Sequence, residues 1–193
     1  MTPEVRGRTF LVLGLGRSGC AAGALLRRHG AHVIGADDAD RTAVERRWSS
    51  EDLEELAGVA FDRVETGPDW RALAPGDLDA VVLSPGVPPD NPGLSRLRKA
   101  GLPVHGELEW AARFCASRVV AVSGTNGKST TTAWIAHVLE TAGVPSPALG
   151  NLGRPFAMEA DSLSTAAVPV VVGPFGQEDD WIENGLTLHL TQE

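Results

Sequence analysis

The chain has 193 residues, 42% of them apolar, which is enough to build a substantial core and to exclude global disorder. Its net charge is -8 and it has no basic run, so nucleic acid or an anionic membrane surface is not expected as the main partner. No apolar run approaches the ~20 residues of a membrane span, and the N-terminus lacks a signal-peptide pattern, so a cytoplasmic location is predicted.

Short apolar or β-branched runs alternate with helical patterns along the chain, which is typical of a parallel sheet with helices on its faces. Strands are predicted at residues 9–14, 32–37, 61–67, 78–84, 118–123 and 168–173. Helices are predicted at residues 18–28, 94–100, 107–115 and 129–141. After about residue 160 the periodicity weakens, and only residues 186–190 suggest a further element.

A complete series of strands and helices ends near Gly106, and a new strand, loop and helix begin at Arg118. The sequence therefore predicts two domains, residues 1–106 and residues 107–193, with an atypical tail in the second. Cys20 and Cys115 form neither a CxxC pair nor a metal set and are interpreted as buried thiols. The histidines at 105 and 137 lack ligand-spaced partners and are interpreted as structural.

A first glycine-rich turn, with Gly14, Gly16 and Gly19 in a G-x-G-x-x-G pattern, lies between a predicted strand and a predicted helix. The next strand ends in Asp37 and Asp38, so the whole matches a dinucleotide-binding fingerprint. Glycines let backbone N–H groups approach a phosphate, and an acidic residue can accept hydrogen bonds from a ribose or base. On this pattern alone NAD or FAD, another nucleotide, and a purely structural turn all remain open.

A second glycine-rich turn, VSGTNGKSTTT, follows a β-branched strand and opens a helix. Its amides and Lys128 could hold ATP phosphates, while the hydroxyl of Ser129 or Thr130 could contact Mg²⁺. The general P-loop pattern would require a glycine where Val122 stands, so the loop is short. The alternative is an ordinary helix cap. With both turns, the predicted fold class is α/β, an N-terminal Rossmann-like parallel sheet followed by the start of a P-loop ATPase-like domain.

The string GTNGKST resembles the ATP loop of the Mur ligase family, the ATP-dependent amide ligases of peptidoglycan synthesis together with folylpolyglutamate synthetase, in which the short loop is the rule. Four further motifs occur in order: GLGRSG, LSPGVPPDNP, GELEWAARF and GNLGRP. Together they resemble the branch that adds D-glutamate to UDP-N-acetylmuramoyl-L-alanine. The resemblance covers residues from about 8 to 158 and implies an amide ligase that works through an acyl phosphate, with ATP and Mg²⁺.

The resemblance also implies which residues form the sites. The ATP loop would comprise Gly124, Thr125, Asn126, Gly127, Lys128, Ser129 and Thr130, with Lys128 catalytic and Ser129 or Thr130 on the metal. The UDP-substrate site would comprise Gly16, Arg17, Ser18, Asp37, Asp38, Ser84, Pro85, Gly86 and Asn151. The alternatives are a solvated strand end for the two aspartates, a ligand-free proline-rich loop at Ser84–Gly86, and a simple turn for Asn151.

The tail departs from the family pattern, because Gly173 stands where the resemblance implies an acidic metal ligand. The later histidine, the modified lysine and the domain that binds the amino acid are not found. The expectation is therefore a truncated or frame-disrupted form that binds the UDP-sugar weakly and does not ligate, and whose unfinished central sheet exposes an edge at which chains could associate. Two alternatives are an NAD- or nucleotide-sugar-binding Rossmann protein and a non-catalytic nucleotide-binding remnant.

Overall fold

A computed structural model of the chain describes residues 4–88, 90–150, 152 and 154–173, together with the backbone of residues 185–190. The chain divides into two compact units, one of residues 4–107 and one that begins at Leu108. Each unit contains one parallel sheet with helices, which confirms the predicted α/β class. Within the described residues, no helix is both long enough and apolar enough to cross a membrane.

The first unit is built on a five-stranded parallel sheet in the order β3-β2-β1-β4-β5. Its strands are β1 (Thr9–Leu13), β2 (His32–Asp37), β3 (Arg63–Thr66), β4 (Ala80–Leu83) and β5 (Val104–Gly106). Its helices are α1 (Arg17–Arg28), α2 (Arg41–Arg47), α3 (Glu51–Ala60) and α4 (Pro92–Lys99), with short 3-10 turns at Gly67–Ala72 and Pro75–Asp77. Helix α5 (Glu107–Ala112) follows β5 directly.

The second unit contains a four-stranded parallel sheet in the order β7-β8-β6-β9. The strands are β6 (Val119–Gly124), β7 (Ala148–Gly150), β8 (Val170–Val172) and β9 (Gly185–Leu190). Helix α6 (Lys128–Thr141) connects β6 to β7, and a 3-10 turn forms at Phe156–Met158. Strand β9 pairs with β6 along six positions, so the weak signal at residues 186–190 does correspond to a strand.

The sheets form where the sequence has continuous apolar runs, because parallel strands are covered on both faces. Strand β1 is almost wholly buried, and Leu11 and Leu13 pack with Trp70 and Leu97 in one core cluster. On helix α1, Cys20 and Ala24 pack against α3. Burial raises the pKa of the Cys20 thiol to about 12, so this cysteine is an inert core residue, as its sequence context predicts.

Two helices were not predicted, and the reasons are visible in the structure. Helix α2 is rich in arginine and buries only Val44, so its apolar periodicity is weak; Asp40 starts it by accepting a hydrogen bond from the Ala43 N–H at 2.8 Å. Helix α3 buries its third, seventh and tenth residues, a helical spacing hidden by four acidic residues. Helix α5 ends three residues before the predicted limit, at Ala112.

The chain runs from β1 outward to β3 and then returns to the other side of β1 at β4. In such open sheets, ligands bind outside the carboxyl ends of the strands where the order reverses. In the second sheet, β6 is likewise flanked by β8 on one side and β9 on the other. Each glycine turn follows the strand at which its sheet reverses, β1 or β6.

Candidate nucleotide-binding sites

A cavity of about 310 Å³ opens at the carboxyl ends of β1, β2 and β4 in the first unit. It is lined by Leu13, Gly14, Gly16, Asp37, Asp38, Arg47, Ser84, Gly86, Val87, Pro88 and Asn91. Five of the predicted UDP-substrate residues therefore line one space. Arg17 and Ser18 stand beside it in the first turn of α1, and Pro85 lies in the turn between two lining residues. Asn151 lies outside the described residues.

The glycine turn is shaped by Gly14, which has φ +94° and whose N–H donates to the Ala36 carbonyl at 2.8 Å. A Cβ at this position would lie 2.6 Å from Cγ2 of Val87 and 2.8 Å from Cβ of Ser84. Only glycine permits both this backbone conformation and the close approach of the β4 turn. Gly16 caps helix α1 without a side-chain hydrogen bond, so the first backbone N–H groups of α1 have no side-chain cap.

Asp37 is buried at the end of β2 and is held by donors from three directions. Its carboxylate accepts the N–H of Leu15 at 2.9 Å, the N–H of Ala39 at 2.9 Å, and two hydrogen bonds from the guanidinium of Arg47. Burial raises the pKa of Asp37, but the hydrogen bonds from Arg47, Leu15 and Ala39 and the positive charge of Arg47 outweigh burial and leave the pKa below its ordinary value. Asp37 therefore stays ionised and fixes the glycine turn.

Asp38 is also engaged within the chain. Its Oδ1 accepts hydrogen bonds from Nε1 of Trp70 and from Arg71, both at 2.8 Å, and its Oδ2 accepts one from Nδ2 of Asn91 at 2.6 Å. The side-chain oxygen of Asn91 in turn caps α4 through the N–H of Gly93 at 2.9 Å. These bonds join the end of β2 to the segment after β4, which forms the opposite wall of the cavity.

The Ser84–Gly86 turn continues directly from β4. The N–H of Ser84 donates to the Leu13 carbonyl at 2.9 Å, and the N–H of Val87 closes the turn on the Ser84 carbonyl at 3.1 Å. Ser84 is buried, while Gly86 is exposed and has open space around its Cα. Ser84 and Gly86 of this turn line the cavity.

Sequence reasoning missed Arg47 and Asn91 in this cavity. Asn91 carries a local signal, because Asn-Pro at residues 91–92 is typical of a helix start. Arg47 carries none: it lies ten residues after its partner Asp37, in a run of charged residues with no motif.

The second glycine turn follows β6 in the second unit. Gly124 has φ +133° and Gly127 has φ +78°, and both are conformations that favour glycine, before α6 begins at Lys128. The Lys128 Nζ donates to the carbonyl of Gly124 at 2.6 Å and to that of Thr125 at 3.3 Å. The lysine thus folds over the loop that would receive the phosphates.

Val122, where a general P-loop would have glycine, lies in β6. It is fully buried and pairs with Val172 on one side and Leu188 on the other. The loop is short because β6 continues to Gly124. Ser129 and Thr130 lie in the first turn of α6, whose N-terminus has no side-chain cap, and both residues are exposed.

Among the residues that the structure describes, the position directly after the neighbouring strand β8 carries no carboxylate. Gly173 follows β8, and its N–H lies 3.4 Å from the carbonyl oxygen of Val122 in β6. In the part of the chain that the structure describes, no group of three or more His, Cys, Asp and Glu side chains is placed to hold a metal ion. The described residues therefore offer hydroxyl oxygens but no acidic metal site.

No family model matches the chain. Curated relatives named UDP-N-acetylmuramoylalanine–D-glutamate ligase are 39% identical over 155 residues in Koribacter versatilis and 42% identical over 154 residues in Acidobacterium capsulatum. Each alignment covers 79% of this chain and 32% of the relative. Over most of its length the chain is homologous to Mur-type ligases, and it spans about a third of the length of the curated relatives it matches.

A third relative of the same name, from Geobacter metallireducens, is 39% identical over 182 residues and is aligned with 94% of this chain. That alignment is too long to stop at residue 160, so the resemblance extends further along the chain than the sequence motifs suggested. Among solved structures, a UDP-N-acetylmuramate:L-alanyl-gamma-D-glutamyl-meso-diaminopimelate ligase from Neisseria meningitides has a TM-score of 0.52 at 23% identity, covering 86% of this chain and 52% of that one. This match shows a shared fold.

Proposed function

We propose that the chain provides two substrate sites of an ATP-dependent amide ligase that adds D-glutamate to UDP-N-acetylmuramoyl-L-alanine in cytoplasmic peptidoglycan precursor synthesis. The observation that carries the proposal is the 39–42% identity to ligases of that name. The cavity at the end of β1 and the glycine turn before α6 support it, because they offer separate places for a nucleotide-linked substrate and for ATP.

In the first unit, the uridine nucleotide would occupy the cavity. The N-terminus of α1, which has no side-chain cap, would receive the diphosphate, since a helix N-terminus presents N–H groups and partial positive charge to anions. The Ser84–Gly86 turn would form the wall of the cavity on the other side of the nucleotide. Asp37 and Asp38 would act mainly by holding these walls in place, because their oxygens already accept hydrogen bonds from the chain.

In the second unit, the N–H groups around Asn126–Thr130 and the ammonium of Lys128 would hold the ATP phosphates. Lys128 would exchange its bonds to the Gly124 and Thr125 carbonyls for phosphate oxygens. The hydroxyl of Ser129 or Thr130 would contact Mg²⁺, and the ion would neutralise part of the phosphate charge. The described residues do not complete a metal site by themselves.

The reaction of such a ligase has two steps. A carboxylate oxygen of the muramoyl-alanine attacks the γ-phosphorus of ATP, the bond to the bridging oxygen breaks, and ADP leaves. The amine of D-glutamate then attacks the acyl carbon, inorganic phosphate leaves, and the nitrogen loses a proton as the amide forms. Both steps move negative charge between oxygens, so the chain's own contribution would be positioning and charge neutralisation by Lys128 and the loop amides.

Ligand binding tests this proposal better than turnover, because the chain spans about a third of its relatives' length. Isothermal titration of the purified chain should show binding of UDP-N-acetylmuramoyl-L-alanine and, separately, of ATP with Mg²⁺. Stabilisation by NAD with no response to UDP compounds would overturn the proposal in favour of a Rossmann oxidoreductase.

A further inference from the structure

The first cavity contains one cationic side chain among the lining residues that the structure describes, that of Arg47. Arg47 is the last residue of α2 and belongs to neither glycine motif. The other charged lining residues are Asp37 and Asp38, which would repel an anionic ligand. The guanidinium of Arg47 is therefore the charged group of this cavity that favours a phosphate.

Two contacts fix the position of Arg47. Its Nη1 lies 2.8 Å from Oδ2 of Asp37 and its Nη2 lies 3.2 Å from Oδ1, so the carboxylate holds the guanidinium by two bonds. The next residue, Trp48, donates its Nε1–H to the carbonyl of Leu15 at 2.9 Å. The end of α2 is thus attached to the glycine turn, and the guanidinium is held beside it before any ligand arrives.

Arg47 also keeps donors available. A guanidinium has five N–H groups, and Asp37 uses two of them. The Arg47 side chain makes no further hydrogen bond among the described residues, and it remains 43% exposed while the side chain of Asp37 is 10% exposed. The remaining N–H groups can therefore donate to a ligand without breaking the bonds to Asp37.

We propose that Arg47 is a ligand-binding residue of the first site, which donates hydrogen bonds to the diphosphate of the uridine nucleotide. This inference rests on the proposed function, namely that the cavity takes a UDP-linked substrate. A diphosphate spanning the turn would meet α1 amides on one side and the guanidinium on the other. Recognition of an anion by a planar, pre-positioned fork is the task for which arginine is suited.

The test compares UDP with uridine, which lacks the diphosphate. Dissociation constants for both are measured by calorimetry on the wild-type chain, R47Q, R47K and R46Q. Arg46 is an exposed neighbour that does not line the cavity, so R46Q controls for loss of one positive charge. We expect R47Q to weaken UDP binding about tenfold or more, which is typical of losing a charge-assisted hydrogen bond, and to leave uridine binding unchanged.

R47K keeps the charge but loses the fork, so it should lie between R47Q and wild type and serves as the readout if R47Q fails to fold. Equal UDP affinity in R47Q and wild type would overturn the inference, and so would a parallel loss for uridine, which would indicate a contact to the base or ribose. If the wild-type chain binds neither compound, the proposed function itself fails. If it binds both with no effect of Arg47, only the inference fails.

Discussion

The carboxylate of Asp37, at the end of β2, accepts the backbone N–H of Leu15 in the glycine turn, with 2.9 Å between Oδ2 and the nitrogen. The same carboxylate binds Arg47 of α2. One buried side chain therefore connects two strands and a helix around the cavity. This connection requires the ionised form, because a protonated carboxyl would place a hydrogen where a donor now stands.

Replacing Asp37 by Asn should lower the free energy of unfolding by roughly 1–3 kcal/mol at neutral pH, since the amide cannot accept from all its present donors. Because the pKa of Asp37 is lowered in the folded state, its stabilisation is present above the ordinary carboxyl pKa of about 3.9 and is lost as the pH falls through the folded value. Urea unfolding at several pH values should show the wild-type and D37N curves converging below about pH 4. A constant difference down to about pH 2 would contradict this assignment.

The two glycines of the first turn should respond differently to alanine. G14A places a Cβ 2.6 Å from Val87 in a backbone with φ +94°, so it should destabilise the chain by at least about 2 kcal/mol. Gly16 has φ -83° and open space around its Cα, so G16A should change stability by less than about 0.5 kcal/mol. Because Gly16 lines the cavity, G16A should still weaken UDP binding, measured by calorimetry. Equal stabilities of the two variants would contradict the close contact.

The chain has two lysines, Lys128 and Lys99, so substitution of Lys99 can serve as the control for substitution of Lys128. Lys128 lies in the second glycine turn, whereas Lys99 is exposed at the end of α4. K128M should weaken ATP binding about tenfold or more because it removes a charged phosphate donor, and K99M should leave it unchanged. Stability should change by less than about 1 kcal/mol in both, since the bonds of Lys128 are to loop carbonyls. A similar loss of ATP affinity in K99M would show a non-specific charge effect.

Thr132 is fully buried in α6, and its hydroxyl has no hydrogen-bond partner among the described residues. A buried, unpaired hydroxyl is unfavourable, so T132V should be as stable as wild type or up to about 1 kcal/mol more stable. The neighbouring Thr131 is partly exposed, and T131V should change stability by less than about 0.5 kcal/mol. Thermal and urea unfolding of both variants measure the difference. A loss above about 1 kcal/mol in T132V would show that the hydroxyl is bonded in solution.

Much of the fold follows from local pattern. The strands predicted at residues 32–37 and 118–123 lie within one residue of their observed limits because their β-branched residues favour extended backbone, whereas only Val170–Val172 of the strand predicted at residues 168–173 is a strand. Helix α2 was missed because its residues are mostly charged and it depends on the Asp40 cap and on Trp48 at its end. Arg47 is the last residue of this helix and was also missed as a site residue, because no sequence spacing relates it to Asp37.

The sequence by itself determined the α/β class, the two glycine turns and the resemblance to Mur ligases, because these depend on periodicity and on short contiguous motifs. The tertiary structure decided which side chains meet around the first cavity. Asp38 and Asn91 are 53 residues apart, and they bond because parallel strands bring their carboxyl ends to one edge of the sheet. The roles of Asp37 and Asp38 depend on such distant donors, which local sequence does not specify.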